Sequence, residues 1–175
     1  MDNLKDVVGS AKSGFERFME KIPGVSGYKD KEQRRETDKI VRETLAKRYD
    51  EEWNRISEIQ RALIKKGDLS SVSDLEAAAI KLRQFTDRIK TASYGYAGLL
   101  DNVKVEEAAL DKLYDYDNSL FDLADATKVA VSKVEAAMAD SGEGLADAIQ
   151  ALTRTAQDSV TAFNKRSEVI AGPGN

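Results

Sequence analysis

The residues best suited to chemistry are seven carboxylates between positions 106 and 125. They are Glu106, Glu107, Asp111, Asp115, Asp117, Asp122 and Asp125. On a helix, Asp111 lies one turn before Asp115, and Asp122 lies two turns after it on a similar face. Such a cluster offers the oxygen ligands that Ca²⁺ or Mg²⁺ takes. A run of charges on a helix is more often a solvated or salt-bridged face, and we predict that face here, with no metal site.

The chain contains no histidine and no cysteine. Histidine is the usual acid–base group near neutral pH, and both residues are common ligands of zinc and haem. Their absence excludes Cys/His nucleophile pairs, zinc sites and the Glu-x-x-His pairs of di-iron bundles. The sequence also lacks a glycine-rich phosphate loop and a nucleophile elbow. We therefore predict a protein that is not an enzyme, with no catalytic residue, no cofactor and no small-molecule substrate.

A group of four tyrosines flanks a predicted turn at residues 101–102. The group consists of Tyr94, Tyr96, Tyr114 and Tyr116. The rings either close one end of a helical bundle or form a notch that a partner protein enters. In the second interpretation, the partner surface contains Tyr94, Tyr96 and Tyr114 together with Asp111, Asp115 and Asp122.

Apolar residues at helical spacing organise the chain into one short and four long segments. The predicted long helices cover residues 29–66, 74–100, 104–139 and 144–170, and residues 172–175 form a tail. In the second and third of them the apolar positions alternate between steps of three and four, the heptad that favours left-handed bundle packing. Short links make consecutive helices antiparallel. The predicted fold class is therefore all-α: an elongated antiparallel four-helix bundle, similar to a coiled coil, preceded by a short amphipathic helix.

Single residues carry further local predictions. Gly67 stands where a C-terminal helix cap belongs, and Ser73 with Glu76 forms a capping box that would begin the next helix. Trp53 lies on an apolar stripe, which predicts a place in the core. Asp117 occupies a heptad position but has apolar neighbours on an alternative packing edge, so we expect it at the core boundary.

Residues 1–22 are predicted to form the amphipathic helix, and a hinge at residues 23–28 separates it from the bundle. The helix has an apolar docking face with charged side chains at its border. The face contains Leu4, Val7, Val8, Phe15, Phe18 and Met19, and the border contains Lys12, Arg17 and Lys21. Such a helix is marginal in isolation, so we expect it to order only against a surface.

Three surfaces compete for this helix: its own bundle, a lipid interface, and a second copy or partner protein. The leading hypothesis is a non-enzymatic helical scaffold or adaptor that associates peripherally with membrane or self-assembles through this helix. The alternative is a soluble cytoplasmic interaction module with the helix docked on its own bundle. The expected partners are the chain itself, another protein or a membrane surface.

Charge and hydropathy limit the remaining classes of function and location. The net charge of −4 argues against nucleic-acid binding. Residues 29–66 hold twelve basic and nine acidic residues, whereas residues 105–139 hold three basic and eight acidic ones, so we expect the two segments to be complementary neighbours. No run of about 18 apolar residues appears, and we expect no signal peptide, because the apolar residues near the N-terminus are spread at helical spacing. We expect a cytoplasmic protein, peripheral at the membrane if its first helix binds lipid.

Overall fold

The structure, a computed structural model, describes residues 14–22, 24–25, 31–92, 107–140 and 142–165, without the side chains of residues 31, 34 and 107–111. This part of the chain forms helices and no strands, which confirms the all-α fold class. The helices are α1 (Gly14–Lys21), α2 (Lys31–Lys66), α3 (Leu69–Thr91), α4 (Glu107–Ala139) and α5 (Leu145–Asn164).

The four long helices form a ring in which α2 packs on α3 and α4, and α5 packs on the same two helices. Helices α2 and α3 are antiparallel, because Gln60 near the end of α2 bonds Glu76 near the start of α3. The prediction that a short link makes consecutive helices antiparallel is therefore confirmed for α2 and α3. Helices α4 and α5 form a second antiparallel hairpin, since Tyr116 near the start of α4 donates to the Ala162 carbonyl near the end of α5.

The two hairpins lie side by side with the same polarity. Arg48 on α2 pairs with Asp125 on α4, and Arg55 pairs with Glu135 further along both helices. Helices α2 and α4 are therefore parallel neighbours. The same ion pairs confirm that the basic and acidic segments of the sequence complement each other.

Helices α3 and α5 are the second parallel pair. Lys81 donates a hydrogen bond to Gln157 at 2.6 Å, and Arg88 donates one to Asn164 at 3.1 Å. Both bonds join residues 76 positions apart, so they fix one register between the two helices.

The link between α2 and α3 explains why α3 begins earlier than predicted. Gly67 has φ +78° and donates its N–H to the Ile64 carbonyl, while the Asp68 N–H reaches the Leu63 carbonyl. This is a Schellman cap, as predicted for Gly67. Asp68 then caps α3 by accepting the Ser71 N–H at 3.1 Å, and hydrogen bonds from the Ser71 side chain and backbone lower the pKa of its carboxyl. The capping-box prediction at Ser73 is wrong, since the stronger cap five residues earlier places that serine inside α3.

Aromatic rings fill the middle of the bundle. Tyr49 meets Phe85 at a centroid distance of 4.4 Å, and Phe85 meets Phe163 at 5.6 Å, both edge-on. Trp53 is only half-buried at the edge of this core, with the Arg83 guanidinium 5.2 Å above its ring. The prediction that Trp53 lies in the core is therefore only partly correct. The ring packs against the core but is not fully buried, and it also makes a cation–π contact with Arg83.

Polar groups also enter the core. The Tyr49 hydroxyl donates to Ser159 Oγ at 2.8 Å and also hydrogen-bonds Thr127, so α2, α5 and α4 share one buried polar centre. Burial raises the pKa of Tyr49. Asp117 is 0 % exposed, so the expectation of a boundary position is wrong: it lies on the inward heptad face of α4.

The predicted extensions of α3 to residue 100 and of α5 to residue 170 lie outside the described residues, as do the start of the 104–139 helix and the tail.

Candidate docking site between α1 and α4

Helix α1 presents an apolar face to the bundle. Phe18 is 0 % exposed, and Ile22, just after the helix, is equally enclosed. Phe15 and Met19 are half-buried and pack against the same core. The four residues recur at steps of three and four, which places all of them on the face of α1 that meets the bundle.

The face of α4 on which α1 docks, called the seat below, is centred on Tyr114. The Tyr114 ring lies 5.1 Å from the Phe15 ring and 5.2 Å from the Phe18 ring, measured between centroids. Both pairs adopt the tilted or edge-on geometries that aromatic rings favour. Tyr114 is 4 % exposed, so in this structure it belongs to the seat of α1 and does not offer a free partner surface.

Two ion pairs flank the aromatic contact. Arg17 Nη2 lies 2.8 Å from Asp115 Oδ1, and Lys21 pairs with Asp122 two turns further along α4. Lys21 also donates to the Asn118 carbonyl at 3.2 Å. Most of these groups are well exposed, so each pair stabilises the contact by no more than about 1 kcal/mol. Their main effect is to set the direction of α1, which runs parallel to α4.

Asn118 and Gly14 complete the site, and sequence reasoning missed both. Asn118 is buried, and its Nδ2 donates to the Gly14 carbonyl at 2.8 Å, which ties the first turn of α1 to α4. A Cβ on Gly14 would lie 2.7 Å from Asp115 Oδ1, so the glycine allows the close approach. The only signal in the sequence is the amide of Asn118, which interrupts the acidic run between residues 106 and 125 next to Asp117.

Three carboxylates of α4 form a salt-bridged face as predicted, whereas Asp117 is buried on the inward face. Asp115, Asp122 and Asp125 each pair with a cation, and two of those cations belong to α1. Within the described ranges, no group of three acidic side chains is placed to hold a metal ion. The side chain of Asp111 lies outside the described residues.

Other proposed site residues fall in two places. Leu4, Val7, Val8, Lys12, Tyr94 and Tyr96 lie outside the described residues. Tyr116 is half-buried, and its hydroxyl donates to the Ala162 carbonyl, which joins α4 to the end of α5. Tyr116 therefore packs as part of the bundle, as the first interpretation of the tyrosines expects.

A second polar cluster joins α2 to α4 away from α1. Arg55 holds Glu135 through two nitrogens, at 3.0 and 2.6 Å, and also bonds Glu52 and Ser132. Burial raises the pKa of the Glu52 carboxyl, whereas the bond to Glu135 raises the pKa of Arg55. Because every member has a partner within the cluster, we interpret it as a structural clamp.

Comparison with known protein families, with curated proteins and with solved structures gives no match for this chain. Among the helices described, none has both the length and the apolar character needed to cross a membrane. The function must therefore be argued from the contacts themselves.

Proposed function

We propose that the chain is a non-enzymatic helical interaction module that binds amphipathic helices on one face of α4 and keeps its own α1 there when no partner is present. The observation that carries this proposal is the α1–α4 contact. Among the described helices, α4 is the only one whose backbone lies close to α1. The four long helices, in contrast, each pack on two others.

The single packing partner of α1 makes it the exchangeable part of the molecule. Among the described helices α1 packs on α4 alone, and a helix in a protein takes most of its stability from the packing of its apolar face. Docking and helix formation are therefore coupled. Full burial of Phe18 and Ile22 is worth about 3–6 kcal/mol together, which lies within the range of local opening reactions in folded proteins.

The contact also defines the chemistry of a partner. Phe15 and Phe18 supply aromatic rings three residues apart, while Arg17 and Lys21 supply cations that reach Asp115 and Asp122. A competing helix needs the same pattern: aromatic residues at positions i and i+3, and basic residues near i+2 and i+6. This is the helix-in-groove mode of recognition, with charge pairs setting the orientation.

Peripheral membrane association or assembly through α1 is the second candidate. The apolar face that packs on Tyr114 is also the face that a lipid interface or a second chain would take up. Because Phe18 is fully buried, either role first requires release of α1. The helix-binding module and the membrane or assembly role therefore share one opening step. They differ in whether the exposed seat or the released α1 binds the partner.

The test uses full-length variants and a fluorescent peptide that corresponds to residues 14–25. Phe18→Asp empties the seat, so the variant should bind the peptide at least about tenfold more tightly than the wild type, in which α1 competes at a high effective concentration. Adding Asp115→Lys and Asp122→Lys should abolish the gain, because both cation partners are lost. Asp158→Lys on α5 is the matched charge control. Equal affinities of the wild type and Phe18→Asp for the peptide would refute the proposal.

The second candidate is tested with an uncharged change in the seat. Tyr114→Ala removes the ring on which Phe15 and Phe18 pack but leaves α1 and the net charge unaltered, so this variant should sediment with phosphatidylserine-containing vesicles if the freed helix binds lipid. If this variant and the wild type both stay in the supernatant, the membrane role is excluded. The peptide-binding experiment then decides whether the first candidate function holds.

A further inference from the structure

At Gly14 the backbone of α1 lies directly against α4. A Cβ built at this position would lie 2.7 Å from Asp115 Oδ1, 3.4 Å from Asp115 Cγ and 3.6 Å from Tyr114 Cβ. The first distance is too short for two atoms that are not bonded to each other. Any side chain at position 14 therefore requires Asp115 to move.

The oxygen that blocks position 14 is also the partner of Arg17. Asp115 Oδ1 lies 2.8 Å from Arg17 Nη2. A side chain at position 14 would displace this oxygen and thereby break the ion pair. A side chain larger than alanine would also have to pass Tyr114 Cβ. The same carboxylate therefore responds to the size of residue 14 and to the charge of residue 17.

Asn118 holds Gly14 through its backbone. Asn118 is 2 % exposed, and its Nδ2 donates to the Gly14 carbonyl at 2.8 Å. A side chain as short as asparagine reaches that carbonyl only while the two helix backbones lie close together. Among the described residues none donates to Oδ1 of the same amide, which is also buried. Because burying an unpaired acceptor costs free energy, we interpret this amide as a recognition group.

We infer that the seat selects helices that carry glycine immediately before their first aromatic residue, and that Asp115 and Asn118 impose this selection. The inference rests on the proposed function. It narrows the partner class to the pattern Gly-aromatic-x-basic-aromatic-x-x-basic, which residues 14–21 of this chain show. Asp115 fills the space that a side chain at the glycine position would need. Asn118 binds the carbonyl that such a side chain would push away from α4.

Peptide binding to the full-length Phe18→Asp protein, in which α1 no longer competes, tests the selection. The probe is a fluorescent peptide of residues 10–25, so that position 14 is not terminal. Gly14→Leu in the peptide should weaken binding at least about tenfold, although leucine favours helix formation more than glycine does. Glu16→Leu places the same side chain on the exposed side of α1 and should bind within about threefold of the wild-type peptide. A Gly14→Leu peptide that binds as tightly as the wild-type peptide overturns the inference.

A double-mutant cycle tests the role of Asp115. On the Phe18→Asp protein, the Gly14→Ala peptide should bind no more tightly than the wild-type peptide, because loss of the Arg17 pair offsets the helix propensity of alanine. With Asp115→Ala added to the protein, the Gly14→Ala peptide should bind about three- to fivefold more tightly than the wild-type peptide, since no carboxylate then meets its Cβ. An equal ratio of the two affinities on both proteins refutes selection by Asp115.

Hydrogen exchange distinguishes failure of this inference from failure of the proposed function. If no peptide binds the Phe18→Asp protein, the wild-type peptide included, the proposed function fails. Gly14→Leu in the otherwise wild-type chain should still speed exchange of the α1 amides at least about tenfold, because the intramolecular contact has the same geometry. Unchanged rates in the middle of α2 and α5 would show that the bundle is folded. Wild-type exchange rates in α1 of this variant overturn the inference.

Discussion

Phe18→Ala should release α1 without unfolding the bundle. Phe18 is fully buried, and its ring lies against Tyr114. Docking through Phe18 and Ile22 contributes about 3–6 kcal/mol. Truncation of Phe18 removes about half of that value, together with about 0.5–1.5 kcal/mol from the aromatic pair. The free energy that keeps α1 closed should therefore fall by about 2–4 kcal/mol.

Amide hydrogen exchange, followed by mass spectrometry, measures this directly. Each 1.4 kcal/mol lost from the closed state speeds exchange about tenfold, so amides in α1 should exchange roughly 30- to 1,000-fold faster. Amides in the middle of α2 and α5 should keep their wild-type rates. The urea m-value should also fall slightly, because the native state of the variant already exposes the α1 seat.

Phe85→Ala is the matched comparison. Phe85 is as deeply buried as Phe18, but it contacts Tyr49 and Phe163 on two other long helices. Its truncation should cost about 3–5 kcal/mol of global stability and speed exchange throughout the bundle. If Phe18→Ala accelerates exchange everywhere in the same way, or leaves α1 as protected as in the wild type, α1 is not a separately releasable unit.

Three further substitutions test the frame that holds the site. Tyr49→Phe should lower the free energy of unfolding by about 1–2 kcal/mol in urea titrations, because Ser159 loses a buried hydrogen-bond partner. Gly67→Ala should cost about 1–2 kcal/mol in thermal melts, since alanine is strained at φ +78° although its Cβ meets no atom. Glu52→Gln should change the pH profile of stability. The folded-state pKa of Glu52 is raised, so its stabilising effect is complete below the unfolded pKa and is lost as pH rises through the folded one. The wild type should therefore lose stability relative to the variant as pH rises above about 4.5, and a constant difference between the two would contradict the burial of that carboxyl.

The long helices could be predicted because their signal is local. Leu75, Leu82 and Ile89 repeat at the spacing of a heptad, and the structure buries all three. The helix start at Leu69 could not be predicted in the same way. Asp68 and Ser73 both offer plausible caps, and the choice falls to Asp68 because the Schellman turn at Gly67 already positions it. Two competing local signals were separated only by the geometry of the preceding helix.

The site was predicted in its parts and missed in its assembly. The sequence indicates a docking face with Phe15, Phe18, Arg17 and Lys21, and an acidic surface with Asp115 and Asp122, but it indicates different partners for the two. The structure pairs the two sets with each other. The apolar pattern of α1 and the acidic pattern of α4 each describe a single helix. Docking depends on how the two helices are placed relative to each other, so neither pattern predicts that these two faces meet.

The balance between the closed and open forms of α1 connects the competing functions. A helix in a protein takes most of its stability from the packing of its apolar face, so we expect α1 to be ordered only against α4, a lipid surface or another protein. Any partner that binds the open form more tightly than α1 binds Tyr114 shifts the equilibrium by that difference in free energy. A partner helix that replaces α1 on the seat and a surface that captures α1 itself would have opposite dependences on Tyr114. In the Phe18→Asp background, where α1 does not compete, Tyr114→Ala should weaken the binding of a partner helix to the seat. In the otherwise wild-type chain it should strengthen the capture of α1 by a surface. Which of the two effects is observed distinguishes a module that binds helices from a scaffold that offers one.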